Sequence, residues 1–379
     1  PPIQQQNTVN ALLPQVQASE IRNTIASLSN FTNRYYTTTT GKEAANWLAN
    51  HWQQLANNVS WASASPYDHS AWGQDSVILK IQGSDPSGEI IVLGAHLDST
   101  AGQGTQEGTV APGADDDASG IATLTHVAQL LLSSTEQPQR SIHIMGYAAE
   151  EVGLRGSKDI ATAYKQSNEK VVAVLQIDMT NYQGSTQDIV FMTDYVNTDF
   201  TNYLKQLLDT YQPSVLYGTD RCGYACSDHA SWYNQGYPSA MPFESRLNDS
   251  NPNIHSRYDT LANSDAEATN SLPFARLALS FAIEMANPSS NNDNQPPSAN
   301  FTVNCNELQC QFDGASSSDS DGVIAQYQWS FGDNGTGTNQ QVSHSYQAAG
   351  QYQVTLVVTD DKGATGQLTQ QVTVTDGAV

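Results

Sequence analysis

The chain has 379 residues, 38% of them hydrophobic, and 38 acidic against 15 basic side chains, a formal charge of −23. That length allows one large α/β domain and something smaller, because single cores stop growing at ~250–300 residues. The acidic balance argues against a nucleic-acid partner, which needs clustered Lys and Arg, and no apolar run approaches the ~20 residues that span a bilayer.

The chain opens "PPIQQQNTVN", without the basic start and apolar stretch of a signal peptide, so an exported protein would be present here in its processed mature form, after removal of a signal peptide and a propeptide. Its low Lys content and abundant Asn, Gln, Ser and Thr have the look of an exported bacterial protein. Helical patterning covers residues 10–29 and 41–56. "SVILKIQG" and "EIIVLGAH" flank a glycine-containing turn and predict a β-hairpin. "GIATLTHVAQLLLSS" predicts an amphipathic helix. "SIHIMGYAA", "VVAVLQIDM" and "DIVFMTDY" predict strands, with a helix near 157–166, and "TDFTNYLKQLLDTY" and the segment Ser264 to Ala286 predict further helices. Near-continuous apolar strands alternating with helices indicate α/β architecture, a mostly parallel twisted sheet flanked by helices.

"NPSSNNDNQPPSAN" is polar and proline-rich and reads as a linker. The expected organisation is a catalytic domain over 1–287, a linker over 288–296 and a second domain over 297–379. There, short alternating strands such as "QYQVTLVVTD" and "QLTQQVTVT" between Gly- and Asp-rich turns predict a small all-β sandwich, and "DSDG" (319–322) reads as a turn. The four cysteines form two close pairs, Cys222 with Cys226 and Cys305 with Cys310. Neither is a CxxC motif, so two local disulfides and an oxidising compartment are expected.

The chemistry gathers where strands end. "SIHIMGYAA" runs into two adjacent carboxylates, Glu150 and Glu151, although ionised carboxylates are rarely buried unless paired or metal-bound. "EIIVLGA" ends in His96-Leu97-Asp98, "VVAVLQI" ends in Asp178, "PGADDDASG" sets Asp115, Asp116 and Asp117 before a helix, and "NPNIHSRYDT" offers His255. In open α/β sheets, sites form outside the carboxyl ends of strands. An Asp before a helix is commonly an N-cap, a reading that fits Asp115 and Asp117. His51, His69, His126, His143 and His344 read as packed or solvated, and His229 as local structure. His96, Asp116, Glu151, Asp178 and His255 supply two imidazoles and three carboxylates, enough for two zinc ions that share a bridging Asp and a bridging water. Glu150 cannot easily face the same metal as its neighbour, which leaves it free as general base.

"GAHLDST", "APGADDDASGI", "YAAEEVGLRGS", "LQIDMTNY" and "NPNIHSRYDTLANSD" resemble the co-catalytic zinc aminopeptidases of the M28 clan, and "CGYACSDHASW" is similar to the secreted bacterial leucyl aminopeptidases of the Vibrio type. The resemblance covers roughly residues 1–290. It implies that His96 and Asp178 hold one zinc, that Glu151 and His255 hold the other, that Asp116 bridges and that Glu150 moves the proton. It further implies that Asp98 hydrogen-bonds the other ring nitrogen of His96 and that Tyr224 stabilises the oxyanion. A first-residue pocket is implied at Met179, Met192, Cys222, Cys226, Met241, Phe243 and Ile254, although Met192 and Met241 read equally well as core. Leu247 and Ser250 stand where larger rings can occur, which opens that pocket and loosens the expected preference for leucine. "YQWSFGDNGTGT", "HSYQAAGQYQVTLVVTDDKGA" and "PPSANFTV" resemble a PKD domain, a module that can attach to proteins or insoluble polymers; Trp329 and Phe331 read as its core.

The expected activity is hydrolysis of an apolar N-terminal residue from peptides with a free N-terminus, by a secreted monomer with two zinc ions. The alternatives are a glutaminyl-cyclase-like acyltransferase, which would use one zinc, and a binding protein on an inactive peptidase scaffold. Serine chemistry is disfavoured by the lack of GxSxG, and HExxH is also absent.

Overall fold

A computed structural model describes residues 1–133, 136–287, 294–320, 322–361 and 363–377. Residues 1–288 and 289–379 form two separate units. Positions 288–293 of the expected linker, and Asp321 of "DSDG", lie outside the described residues.

In the first unit the strands are β1 (Ala62–Tyr67), β2 (Ser76–Ile81), β3 (Glu89–His96), β4 (Ser141–Tyr147), β5 (Lys170–Gln176), β6 (Ile189–Met192), β7 (Tyr217–Asp220), β8 (Ser239–Ala240) and β9 (Pro242–Phe243). The helices are α1 (Gln6–Leu12), α2 (Ala18–Ser29), α3 (Thr39–Ala56), α4 (Gly120–Ser133), α5 (Arg155–Gln166), α6 (Thr198–Tyr211), α7 (His229–Asn234) and α8 (Leu272–Ala286). The main sheet has the order β1-β2-β4-β3-β5-β8. Its β4/β3, β3/β5 and β5/β8 pairs are parallel, and antiparallel pairing is confined to the β1/β2 and β2/β4 edge.

Alternation along β3 sorts the two cores. Ile91, Leu93 and Ala95 pack with residues of α1–α4, α6 and α8, whereas Ile90 and Val92 pack on the other face with Ile160 and Tyr164 of α5 and Trp232 of α7. Both faces are covered, as the near-continuous apolar strands require.

Five expectations change. The hairpin does not form: β4 stands between β2 and β3. The connecting loop pairs instead with the approach to β4, since Ser84 N–H donates to the Pro138 carbonyl and Asp85 N–H to that of Gln139, both at 2.9 Å. Its seven residues are far longer than the two-residue turn that fixes a hairpin. The helix expected over 10–29 is broken, because Pro14 has no N–H to donate and Val16 turns extended (φ −69°, ψ 119°). Helix α4 is buried on nearly all sides, with only Gln129 and Ser133 fully exposed, so it is a core helix and not an amphipathic one. The segment from Ser264 is helical in the α sense only from Leu272, with Pro273 in its first turn, where a missing N–H costs nothing. The strand from "DIVFMTDY" lies outside the main sheet, in a three-stranded sheet ordered β7-β6-β9.

The second unit is all antiparallel. Strands β10 (Thr302–Asn306), β11 (Gln309–Asp313), β12 (Ile324–Ser330), β13 (Thr336–Thr338), β14 (Gln341–Ser345), β15 (Gly350–Asp360) and β16 (Thr365–Val374) form the sheets β10-β11-β14 and β13-β12-β15-β16. Trp329 and Phe331 lie in its core with Phe301, Phe312 and Leu356. Disulfides join Cys222 to Cys226 and Cys305 to Cys310, the latter pair facing each other across β10 and β11.

Gly94 of β3 is required by a close approach: a Cβ there would lie 2.3 Å from the ring of Tyr147, whose hydroxyl is held by Trp232 Nε1–H at 2.9 Å. Gly94→Ala is expected to lower stability by about 1–3 kcal/mol through overpacking, read as a lower denaturation midpoint of the first unit.

Candidate metal centre

Parallel neighbours β4, β3 and β5 end at the same edge of the sheet, and that edge carries the acids and imidazoles. His96 is the last residue of β3, Glu150 and Glu151 follow β4, and Asp178 follows β5. Asp116 lies in the turn 114–119 that leads into α4, and His255 in the loop between β9 and α8. The backbone here is strained. Ala149, Leu154, Met179 and His255 have φ of 56°, 59°, 63° and 54°, left-handed values that side chains disfavour. Such residues persist only where surrounding bonds hold them, and they cluster at functional sites.

The structure brings all six expected residues together. Asp116 presents one oxygen to each imidazole: Oδ1 is 2.9 Å from His96 Nε2 and Oδ2 is 3.0 Å from His255 Nε2. Glu151 Oε2 is 2.9 Å from His255 Nε2, Asp178 Oδ1 is 3.6 Å from His96 Nε2, and Glu150 Oε2 is 3.9 Å from the same nitrogen. Burial is the largest influence on Glu150, which is raised well above the usual carboxylate range, and burial with Asp116 lifts Glu151 to about 8. Burial would also raise Asp116, but its bonds to the two imidazoles pull it below its ordinary value. Hydrogen bonds to Asp116 and Glu151 push His255 up to about 11. Burial works to lower His96, yet Asp178, Glu150 and Asp116 raise it well above its ordinary value.

Carboxylates this close and this dry demand positive charge. Imidazolium protons can supply it, and a divalent cation would take their place. Two further observations fit a metal. Glu151 Oε1 and Asp178 Oδ1 are buried and have no hydrogen-bond donor among the described residues. The donor set is imidazole nitrogen and carboxylate oxygen without thiolate, a set that zinc accepts.

A second layer of acids holds the backbone of these residues: Asp98, expected as the partner of His96, Asp115 and Asp117, read as caps, and Asp259, which the sequence did not mark. Asp98 accepts from Glu150 N–H and Glu151 N–H at 2.9 and 3.1 Å. Its expected bond to His96 is therefore made differently: His96 Nδ1 faces the Asp98 backbone carbonyl at 3.0 Å, with the carboxylate at 3.4 Å. Asp117 accepts from the N–H groups of His96, Gly120 and Met179, so it caps α4 and also fixes two ends of the site. Asp259 takes Asp115 N–H and Asp116 N–H, both at 3.0 Å. Asp115 in turn accepts from Asn181 N–H and the Asn251 amide. Ser227 donates its hydroxyl to Asp178 Oδ2. Arg34, wholly buried, donates to the carbonyls of Leu28, Leu97, Pro112 and Gly113. An Asp two residues after a strand-end His is a readable signal; a lone Arg in a loop is not. Of the other histidines, His51 stacks on Trp47, and His126, His143 and His344 bond to Gln17 N–H, Tyr164 and Asp333.

Beside the cluster lies a cavity of about 560 Å³. Met179, Met192, Cys222, Cys226, Met241, Phe243 and Ile254 all line it, as do Leu247 and Ser250. Tyr224 stands on its rim, 60% exposed, on the loop closed by Cys222 and Cys226. Burial and the nearby carboxylates raise its hydroxyl above the ordinary value.

Comparison with known proteins gives the family. Residues 76–280 match the family described as "Peptidase family M28", and residues 294–375 match "PKD domain". A "Probable leucine aminopeptidase" of Arthroderma otae is 38% identical over 288 residues, 75% of this chain and 78% of that protein. The crystal structure of the LapA aminopeptidase of Legionella pneumophila is 35% identical with a TM-score of 0.69, covering 75% of this chain and 76% of that one. A glutaminyl cyclase of Bacteroides thetaiotaomicron, 16% identical with a TM-score of 0.58 over 69% of this chain and 96% of that one, shares the fold. The chain therefore belongs to peptidase family M28 and carries a C-terminal PKD domain.

Proposed function

We propose that the chain is a secreted two-zinc aminopeptidase that removes an apolar, leucine-like residue from the free N-terminus of peptides, with residues 1–287 as its catalytic domain. The observation that carries this reading is Asp116, whose two oxygens face two different imidazoles. His96 and Asp178 would hold one zinc, Glu151 and His255 the other, and Asp116 both. Such a pair supplies Lewis-acid polarisation of the scissile carbonyl and a water of lowered pKa.

The protein's own groups do the rest. Glu150, drawn up by burial, has a carboxyl suited to accept a proton from the attacking water and to return it to the leaving amine. The Tyr224 hydroxyl, on the cavity rim, donates to the oxyanion. The sulfur-lined cavity takes the first side chain, with Leu247 and Ser250 leaving one wall low. The two disulfides suit an oxidising, extracellular setting. Residues 297–379 would serve attachment to protein or polymer surfaces, in a monomeric enzyme.

A peptide Leu-Xaa-Xaa-Xaa is expected to lose residues stepwise from its N-terminus while its N-acetylated twin stays intact, followed by mass spectrometry. Cleavage of both, or trimming from the C-terminus, would overturn the reading. Glu150→Gln is expected to lower kcat by about 10²–10⁴-fold with two zinc ions per chain retained by elemental analysis. Lost zinc would make Glu150 a ligand instead. His255 held protonated up to about pH 11 must give up its proton to bind zinc. Zinc affinity of the metal-stripped protein should therefore rise from pH 6 to 9, with a calorimetric enthalpy that varies with the buffer's ionisation heat; an enthalpy independent of buffer would contradict it.

A further inference from the structure

Ser76, His69 and Asp159 stand in the order of a Ser–His–Asp triad, away from the metal centre. Ser76 Oγ is 2.7 Å from His69 Nε2, and His69 Nδ1 is 2.7 Å from Asp159 Oδ2. Triads are recognised by geometry and roles, and the role here is not nucleophilic. Ser76 is wholly buried, and its oxygen already accepts the Ala148 N–H at 2.8 Å. That bond orients the rest. A buried hydroxyl proton needs an acceptor, and of the two groups that Ser76 Oγ meets only His69 Nε2 can be one. Donation to Nε2 leaves Nδ1–H to donate to Asp159. The ring is buried and stacked on Trp72, with centroids 4.5 Å apart, so it has little room to turn.

What the chain of bonds joins is informative. Ser76 opens β2, and Val77 is the last residue of β2 in register with β4, opposite Gly146. Beyond that pair β4 parts from β2 while Tyr147 still pairs with His96 of β3, and the Ser76 side chain takes over where the β2–β4 ladder stops. Asp159 lies on α5, which begins just past the turn 148–154 that bears Glu150 and Glu151. Main-chain bonds from Arg155 N–H to Ala149 and from Gly156 N–H to Ala148, both at 3.0 Å, close that turn. The triad therefore grips the turn at its entry, through Ala148, and at its exit, through α5.

We propose that His69 is a positioning residue: with Ser76 and Asp159 it forms a strut that sets the Ala148–Glu151 backbone, and through it the Glu150 carboxylate. This rests on the reading of Glu150 as the proton-transfer group. Misplacing a reacting group by 1 Å can cost as much as ~10²-fold in rate; the strut acts at two residues' remove, and a loss of about tenfold is expected.

The test uses the full chain loaded with zinc. Asp159 is half-exposed, so Asp159→Ala should fold even if Ser76→Ala does not. Both variants are expected to lower kcat about tenfold at unchanged KM and zinc content. Amide exchange in residues 147–151 should be faster, and Asp159→Asn, which keeps an acceptor for Nδ1–H, should stay near wild type. Nitrogen NMR of the wild-type protein should show His69 protonated at Nδ1, and a fluorophosphonate should leave Ser76 unlabelled. Wild-type kcat and exchange in Asp159→Ala, a loss matched by missing zinc, an Nε2–H tautomer, or a labelled Ser76 would each overturn the strut. A wild-type protein inert on Leu-peptides would defeat the aminopeptidase reading alone, because tautomer and exchange still decide the strut.

Discussion

Buried carboxylate oxygens must each meet a donor or a cation, and the first unit is arranged around that requirement. Around the cluster, Asp98, Asp117 and Asp259 are buried acids that bond to the main-chain N–H groups of other site residues. Glu150, Glu151, His96 and Asp116 each have their N–H held by one of these three, and so does Met179, next to Asp178. The backbone beneath the site is fixed by acids, while the side chains above it keep oxygens free. Arg34 contributes a buried guanidinium to this layer. Burial lowers its pKa to about 10, and Asp259, Asp98, Asp117 and Asp116 work against that fall, so it stays charged at neutral pH. Its bonds go to carbonyls flanking both His96 and Asp116. Removing one partner from such a network leaves an uncompensated buried charge, which is far costlier than the loss of one bond.

The same requirement explains the strained backbone. Left-handed φ values at Ala149, Met179 and His255 turn the chain sharply just where a strand or loop must deliver a side chain into the cluster. Met179 is held in that conformation by its bond to Asp117 at 2.9 Å. Strain of order 1–3 kcal/mol per residue is sustainable when charge-assisted bonds over-determine the position.

How much of this was legible in the sequence follows from range. Strand ends bearing His96, Glu150–Glu151 and Asp178 could be read because a polar residue after an apolar run needs a reason, and the sheet edge supplies it. The polar break before the second unit and the two cysteine pairs are equally local signals. The hairpin was misread because nothing local says that a strand 52 residues downstream of Glu89, beginning at Ser141, will insert beside β3. The full burial of α4 depends on which helices cover it. Asp98 could be placed next to His96, but not its choice of the Glu150 and Glu151 amides over the imidazole, which depends on β4 lying beside β3. Arg34 and the Ser76–His69–Asp159 chain carry no local pattern, since each partner comes from a different element.

One consequence concerns the cavity. Asp117 binds the N–H of His96 with one oxygen and the N–H of Met179 with the other, which also caps α4. Met179 lines the cavity and His96 lies in the cluster. A single carboxylate thus fixes one wall of the pocket and one imidazole relative to each other. The opposite wall, Cys222 to Cys226, is tied by a disulfide and by Asp194, which accepts from Cys222 N–H and Gly223 N–H. Between two rigid walls, adjustment falls to Leu247, Ser250 and Ile254, on loops with only partial burial. Changes there can widen or narrow the pocket without moving the cluster, whereas a change at Met179 acts through Asp117 on the position of His96. On the proposed reading, selectivity for the first residue would be free to vary on one side of this cavity and locked to the chemistry on the other.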